Sequence, residues 1–413
     1  MSTLQPVLPD ESPRDRWRLS ARAHQVKPSV ILGLNARAKA LIAQGRDVVL
    51  FGAGEPDFET PAHIRIATTA ALERGVTRYT PTNGIPELRE AISARLAAQG
   101  LPTPPADIIV TAGAKMALYE VFQAICDPGD EVILFSPYWS SYAEIILLAG
   151  ARPVFVPTLE RDGFQPDPEL LRRALTPRTR ALLLNSPGNP TGAVYPRETL
   201  QQLARVIEDT DVLVISDDIY EKILFDRRAF ANVAQLGPDW QSRTVIVNGV
   251  SKTYAMTGFR IGWASGPREI IAAMGRIQDQ STSCPTAFAQ SGALAALTGP
   301  QDSVPRMSAE FERRRDAMVK GLRAMPGVTC AEPGGAFYAF PSVAGLLGKR
   351  FGGQVIGTPT ALSGMLLDHF GVALVPGELF GAPEHLRLSF ATSLEQIVHG
   401  LARMREAFTA LTA

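Results

Sequence analysis

Between residues 108 and 264 the chain shows short apolar runs, each bounded by turn residues. They are Ile108–Val110, Glu131–Phe135, Pro153–Val156, Ala181–Leu184, Val212–Ile215, Thr244–Val247 and Ile261–Ala264. Continuous apolar runs of this length read as strands covered on both faces. Helical patterns separate most of them. In the clearest, Ala114, Ala117, Leu118, Val121, Phe122 and Ile125 share a face, and Asp127-Pro128-Gly129 ends it. This alternation predicts an α/β domain on a mainly parallel, seven-stranded sheet flanked by helices. Upstream, Val30–Ala43 reads as a helix leading to the apolar run Val48–Phe51. From about residue 300, SAEFERRRDAMVKGLRAM, FYAFPSVAG and a last helix read as a smaller α+β domain. The expected division is residues 61–299 for the large domain, and 1–60 with 300–413 for the small one. The first dozen residues are expected to form a loose arm.

Composition narrows the function. The 413 residues suffice for two to three domains, and 41 basic against 41 acidic side chains leave no net charge. That balance gives no electrostatic reason to expect a nucleic acid or an anionic membrane as partner. No run approaches the roughly 18 apolar residues of a membrane span, and MSTLQPVLPDESPRDRWRL lacks the apolar stretch of a secretory signal. Cys126, Cys284 and Cys330 show no metal-ligand spacing. The expectation is a cytoplasmic enzyme without a metal.

In open α/β sheets, ligands bind beyond the carboxyl ends of the strands, so the residues after each run are the candidates. After IIV comes TAGAK, a small-residue turn with Gly113, Ala114 and Lys115. After VILF comes SPYWSSY with Trp139, and after ALLL comes NSPGNPTG with Asn189. After VLVI comes SDDIY with Asp217 and Tyr220; after TVIV comes NGVSKTYAMTGFR with Ser251, Lys252 and Arg260. Each has a bland reading alone: Asn189 in a turn, Asp217 as a helix cap, Lys252 as a solvated lysine, Trp139 as core. Together they match what pyridoxal phosphate (PLP) chemistry requires. Lys252 offers an amine for the aldehyde, and Asp217 a carboxylate for the pyridine nitrogen. Asn189 and Tyr220 offer donors for the ring 3′-oxygen, and Trp139 an aromatic face. The Gly113-Ala114-Lys115 turn, with Ser251 or Arg260, offers a phosphate cradle.

NPTG at Asn189–Gly192, SDDIY at Ser216–Tyr220 and SKTYAMTGFRIGW at Ser251–Trp263 resemble the class I/II aminotransferase family, PLP-dependent fold type I. Arg260 follows Lys252 by eight residues, as in that family. The resemblance extends from GAGEPDF near Gly54, through RYTPTNGIPELREAI, TAGAKMALY and DPGDEVILFSPYWSSY, to RLSFATS at Arg387. It implies that Lys252 carries the cofactor and moves the substrate proton, that Asp217 pairs with the ring nitrogen, and that Asn189 and Tyr220 bond the 3′-oxygen. It also implies that Trp139 stacks on the ring, while the Ala114 and Lys115 amides, Ser251 and Arg260 hold the phosphate. Tyr79 would reach the phosphate of a partner subunit, making a homodimer with shared active sites. Arg387, helped by the backbone near Gly54, would grip the substrate α-carboxylate as a bidentate fork.

The GAK turn is similar to that of bacterial aspartate aminotransferases, whose lysine at this place recognises acidic side chains. VKPS at Val26–Ser29 resembles their N-terminal segment. The resemblance therefore implies ping-pong transfer between an L-amino acid, aspartate, and 2-oxoglutarate, with prephenate or an aromatic amino acid as rival substrate. A PLP-dependent C–S lyase shares the lysine and aspartate and differs in product, pyruvate with ammonia. An aminotransferase-like DNA-binding regulator would need an extra basic domain, and a nicotinamide-binding dehydrogenase would need a GxGxxG after the first strand; neither feature is found.

Overall fold

The computed structural model describes residues 19–26 and 30–412. The expected arm, and Lys27–Ser29 of the VKPS segment, lie outside the described residues. A short parallel pairing joins β1 (Val49–Leu50) to Val372–Ala373. The seven expected runs become β2 (Ile108–Thr111), β3 (Glu131–Ser136), β4 (Arg152–Pro157), β5 (Thr179–Asn185), β6 (Leu213–Asp217), β7 (Thr244–Gly249) and β8 (Gly262–Ser265). They form one sheet in the order β2-β8-β7-β6-β5-β3-β4. Only β8 runs against its neighbours, so the expected mainly parallel α/β sheet is present. The carboxyl ends of β2, β3, β5, β6 and β7 share one edge with the start of β8.

Alternation assigns the two faces of the sheet. Ile109, Val132, Leu134, Leu183, Ile215 and Val247 pack on the helices Ala114–Ile125 and Arg268–Gln280 through Leu118, Val121, Phe122, Ile271 and Met274. On the opposite face, Ile133, Leu182, Leu184 and Val214 meet Leu200, Leu203 and Ile207 of Arg197–Ile207. Ile108, Val110 and Trp263 meet Leu88, Ile92 and Ala293. Burying one such Leu or Phe contributes on the order of 2–3 kcal/mol, which is why helices that cover both faces define the layers.

The C-terminal segments gather around Phe311, Met318, Phe337, Leu388, Phe390 and Met404 in a core that also takes Val49 and Phe51. Ile219, Tyr220, Ile223 and Phe225 enter the same core from just beyond β6, which brings the far end of the chain over the sheet edge. Val375–Pro376, Leu386–Ser389 and Tyr338–Ala339 form its antiparallel sheet. Arg387 therefore sits on a strand and is buried.

Candidate active site

A cavity of about 710 Å³ opens at the sheet edge. Gly54, Ala114, Lys115, Trp139, Asn189, Asp217, Tyr220, Ser251, Lys252, Arg260 and Arg387 all line it. Gly113 lies immediately behind. Its φ of +87° suits glycine, and a Cβ there would come within 2.3 Å of the Arg260 guanidinium. Gly262 is needed for a similar reason: a Cβ would meet the Ala114 amide nitrogen at 2.2 Å. The start of helix Ala114–Ile125 can thus press against β8. Its first amides have no acceptor within the helix, and Arg260 stands beside them, donating to the Thr257 carbonyl at 2.9 Å and the Ala112 carbonyl at 3.3 Å. That corner attracts anions.

Lys252 follows β7, and its Nζ donates to the Gly54 carbonyl at 2.5 Å. Burial pushes its amine down to about 8; Arg260 and Arg387 act in the same direction, while Glu55 and Asp217 oppose them. Asp217 ends β6. Burial raises its carboxyl to about 6 against the opposing effect of its hydrogen bonds. The Tyr142 hydroxyl donates to Oδ2 at 2.6 Å, and the Ile219 amide to Oδ1 at 3.3 Å. Asn185, paired with Asp217 in the sheet register, donates from Nδ2 to the Asp217 carbonyl and accepts from the Asn189 amide, both at 2.9 Å.

Arg387 is 2% exposed. Its Nη1 donates to Asn189 Oδ1 at 3.1 Å and its Nη2 to the Gly52 carbonyl at 3.0 Å, while the buried Nε has no partner among the described residues. The guanidinium lies 4.7 Å from the Tyr338 ring centre and 5.0 Å from that of Phe380. The Tyr338 and Tyr220 hydroxyls are 2.9 Å apart. Lys115 Nζ donates to Ser141 Oγ at 3.1 Å and lies 4.7 Å from the centre of the Trp139 ring. Burial, with Arg260 nearby, lowers its ammonium below the ordinary lysine value. Trp139 meets Tyr142 edge-on at 5.2 Å. Tyr79 is apart from this group: it is 89% exposed and does not line the cavity of its own chain.

Residues 46–404 match the family model "Aminotransferase class I and II". The chain belongs to the aminotransferase class I and II family. It is similar to the aspartate aminotransferase of Geobacillus stearothermophilus, at 46% identity over 94% of this chain and 98% of the relative. It is equally similar, at 46% over the same shares, to the aspartate/prephenate aminotransferase of Cereibacter sphaeroides. Among solved structures, the aspartate aminotransferase of Rhizobium meliloti superposes with a TM-score of 0.92 at 43% identity, covering 96% of this chain and 100% of that one. The Thermus thermophilus aspartate aminotransferase with maleate gives 0.89 at 44% identity, over 94% and 99%. The fold inferred from the apolar runs is that of these aminotransferases.

Sequence reasoning passed over several residues that this aminotransferase places in the cavity wall. Tyr142 sits within a helical pattern and reads as core. Asn185, the last residue of β5, was overshadowed by Asn189 four positions later. Tyr338 belongs to a distant segment, and Ser141 and Glu55 carry no signal beyond lying in polar loops. Glu55 accepts from the Thr257 hydroxyl at 2.9 Å.

Proposed function

We propose that this aminotransferase uses PLP to exchange an amino group between aspartate and 2-oxoglutarate by a ping-pong mechanism. The observation that carries the reading is one cavity holding a depressed amine, a buried carboxyl and a buried guanidinium with a free donor. The residues fit the cofactor. The Gly113 turn and Arg260 form a cradle that a Cβ would fill, and Asp217, held by Tyr142, is a buried carboxylate that would pair with the ring nitrogen. Bound PLP supplies an aldehyde to capture the amino group and a ring that accepts electrons.

The side chains divide the remaining work. The Ala114 and Lys115 amides, Ser251 and Arg260 would hold the phosphate, Asn189 and Tyr220 the 3′-oxygen, and Trp139 the ring face. Arg387 takes the substrate α-carboxylate, with Nε, already dehydrated and unpaired, as a ready donor. This grip fixes Cα within reach of Lys252. An amine with a value of about 8 is partly neutral at neutral pH, so Nζ can take the Cα proton and return it elsewhere. Lys115, at the cavity wall with Ser141, takes the distal carboxylate of a dicarboxylic substrate. The aspartate assignment is supported by the names of the relatives from Geobacillus and Rhizobium. The name of the Cereibacter relative supports prephenate as a second acceptor.

We further propose a homodimer in which Tyr79 completes the phosphate site of the partner, which accounts for a tyrosine exposed on its own chain. The proposed domains are 61–299, and 1–60 with 300–413. A donor panel tests the activity. Aspartate with 2-oxoglutarate should give oxaloacetate and glutamate without free ammonia, and Lys115→Ala should selectively lower aspartate kcat/KM. Pyruvate and ammonia from a cysteine conjugate, without transamination of aspartate, would replace this reading with a lyase.

A further inference from the structure

Among the described residues, five cationic side chains line the cavity: Lys39, Lys115, Lys252, Arg260 and Arg387. The proposed function employs the last four and leaves Lys39 without a role. Lys39 lies on the helix Val30–Ala43. Neighbouring residues hold that helix in place: Ala38 is fully buried against Val48, Leu367 and Ala373, and Arg37 donates to Asp368 Oδ1 at 2.6 Å. Ala36 and Lys39, three apart, share a helix face, and both line the cavity beside Leu50, Gly54 and Glu55. Among the described residues Lys39 enters no ion pair or hydrogen bond. A fixed helix therefore places Lys39, exposed and without a described partner, at the cavity wall on the side formed by the N-terminal segment.

A transaminase that moves an amino group between two dicarboxylic acids must accept two chain lengths. Arg387 fixes the α-carboxylate and with it Cα within reach of Lys252, so an extra methylene displaces only the distal carboxylate. Lys115 is engaged by Ser141 and lies against Trp139, which suits one chain length better than both. Lys39, with a flexible stem and no competing partner, can meet the other.

We propose that Lys39 determines acceptance of the longer substrate, its ammonium pairing with the distal carboxylate of five-carbon dicarboxylic acids. The proposal rests on the dicarboxylate reading above, and the test separates the two. Succinate and glutarate are titrated calorimetrically into holoenzyme, wild type, Lys39→Met and Lys39→Arg, alongside half-reactions with aspartate and glutamate. Lys39→Met should lower the glutarate-to-succinate affinity ratio about fivefold, as expected for a largely solvated ion pair, and Lys39→Arg should restore it. The glutamate-to-aspartate kcat/KM ratio should move with it. A ratio unchanged by Lys39→Met, or equal weakening of both acids, overturns the role of Lys39 while leaving the dicarboxylate reading intact. Wild-type holoenzyme that transaminates neither amino acid overturns both.

Discussion

Tyr142→Phe isolates the one hydrogen bond that a side chain among the described residues gives to the Asp217 carboxylate, the Tyr142 hydroxyl to Oδ2 at 2.6 Å. Burial has already raised this carboxyl to about 6, with the hydrogen bond opposing. A hydrogen bond to a charged group contributes about 1.5–3 kcal/mol, and each unit of pKa corresponds to about 1.4 kcal/mol. Removing the hydroxyl should therefore raise the Asp217 midpoint by about one to two units. Phenylalanine keeps the ring against Trp139, so packing should survive. The assay is a titration of apoprotein carrying ¹³C-labelled aspartate carboxyls, with Asp217→Asn to assign the signal. In the holoenzyme the acid limb of kcat should move upward too, because a neutral carboxyl cannot hold a protonated ring nitrogen. A midpoint that stays in place, in a variant with unchanged Tm, would refute the claim that Tyr142 keeps Asp217 ionised.

Arg387→Lys keeps the charge but loses the fork, and should lower kcat/KM for every amino acid by about a hundredfold or more while leaving cofactor binding intact; steady-state kinetics with aspartate and alanine check this. Gly262→Ala forces a Cβ onto the Ala114 amide at 2.2 Å, so PLP affinity should fall at least tenfold with a lower Tm, read by cofactor titration and thermal unfolding. Glu120 is fully buried with neither oxygen partnered among the described residues, and burial raises its carboxyl to about 8. The folded form then retains a proton that the unfolded chain releases near pH 4.5, so stability present below that pH is lost as pH rises toward 8. Glu120→Gln should flatten this decline and stabilise the apoprotein at pH 8.5 by on the order of 2–4 kcal/mol, measured by urea unfolding across pH.

The strands were legible because burial on both faces leaves uninterrupted apolar runs. The reversal of β8 was not, since a run such as Ile261–Ala264 carries no mark of direction. Strand ends were also hidden where polar residues continue the ladder. Ser216 and Asp217 pair with Leu184 and Asn185, so Asp217 is the last residue of β6, whereas the apolar run stops at Ile215. The residues after the apolar runs yielded Trp139, Asn189, Asp217 and Lys252 because the sheet gathers its carboxyl ends at one edge. Tyr142 and Tyr338 act on other side chains and Asn185 on two backbone groups, and that dependence leaves no local signature. The Tyr220–Tyr338 contact spans 118 positions, and only the folded chain brings its two hydroxyls together.

The account depends most on the Lys252 amine, and covalent capture tests it directly. Protein incubated with PLP is reduced with borohydride, digested and mapped by mass spectrometry. A reduced pyridoxyl group on Lys252, absent from Lys252→Ala, is the predicted result. Label confined to surface lysines, or none at all, would contradict the central claim.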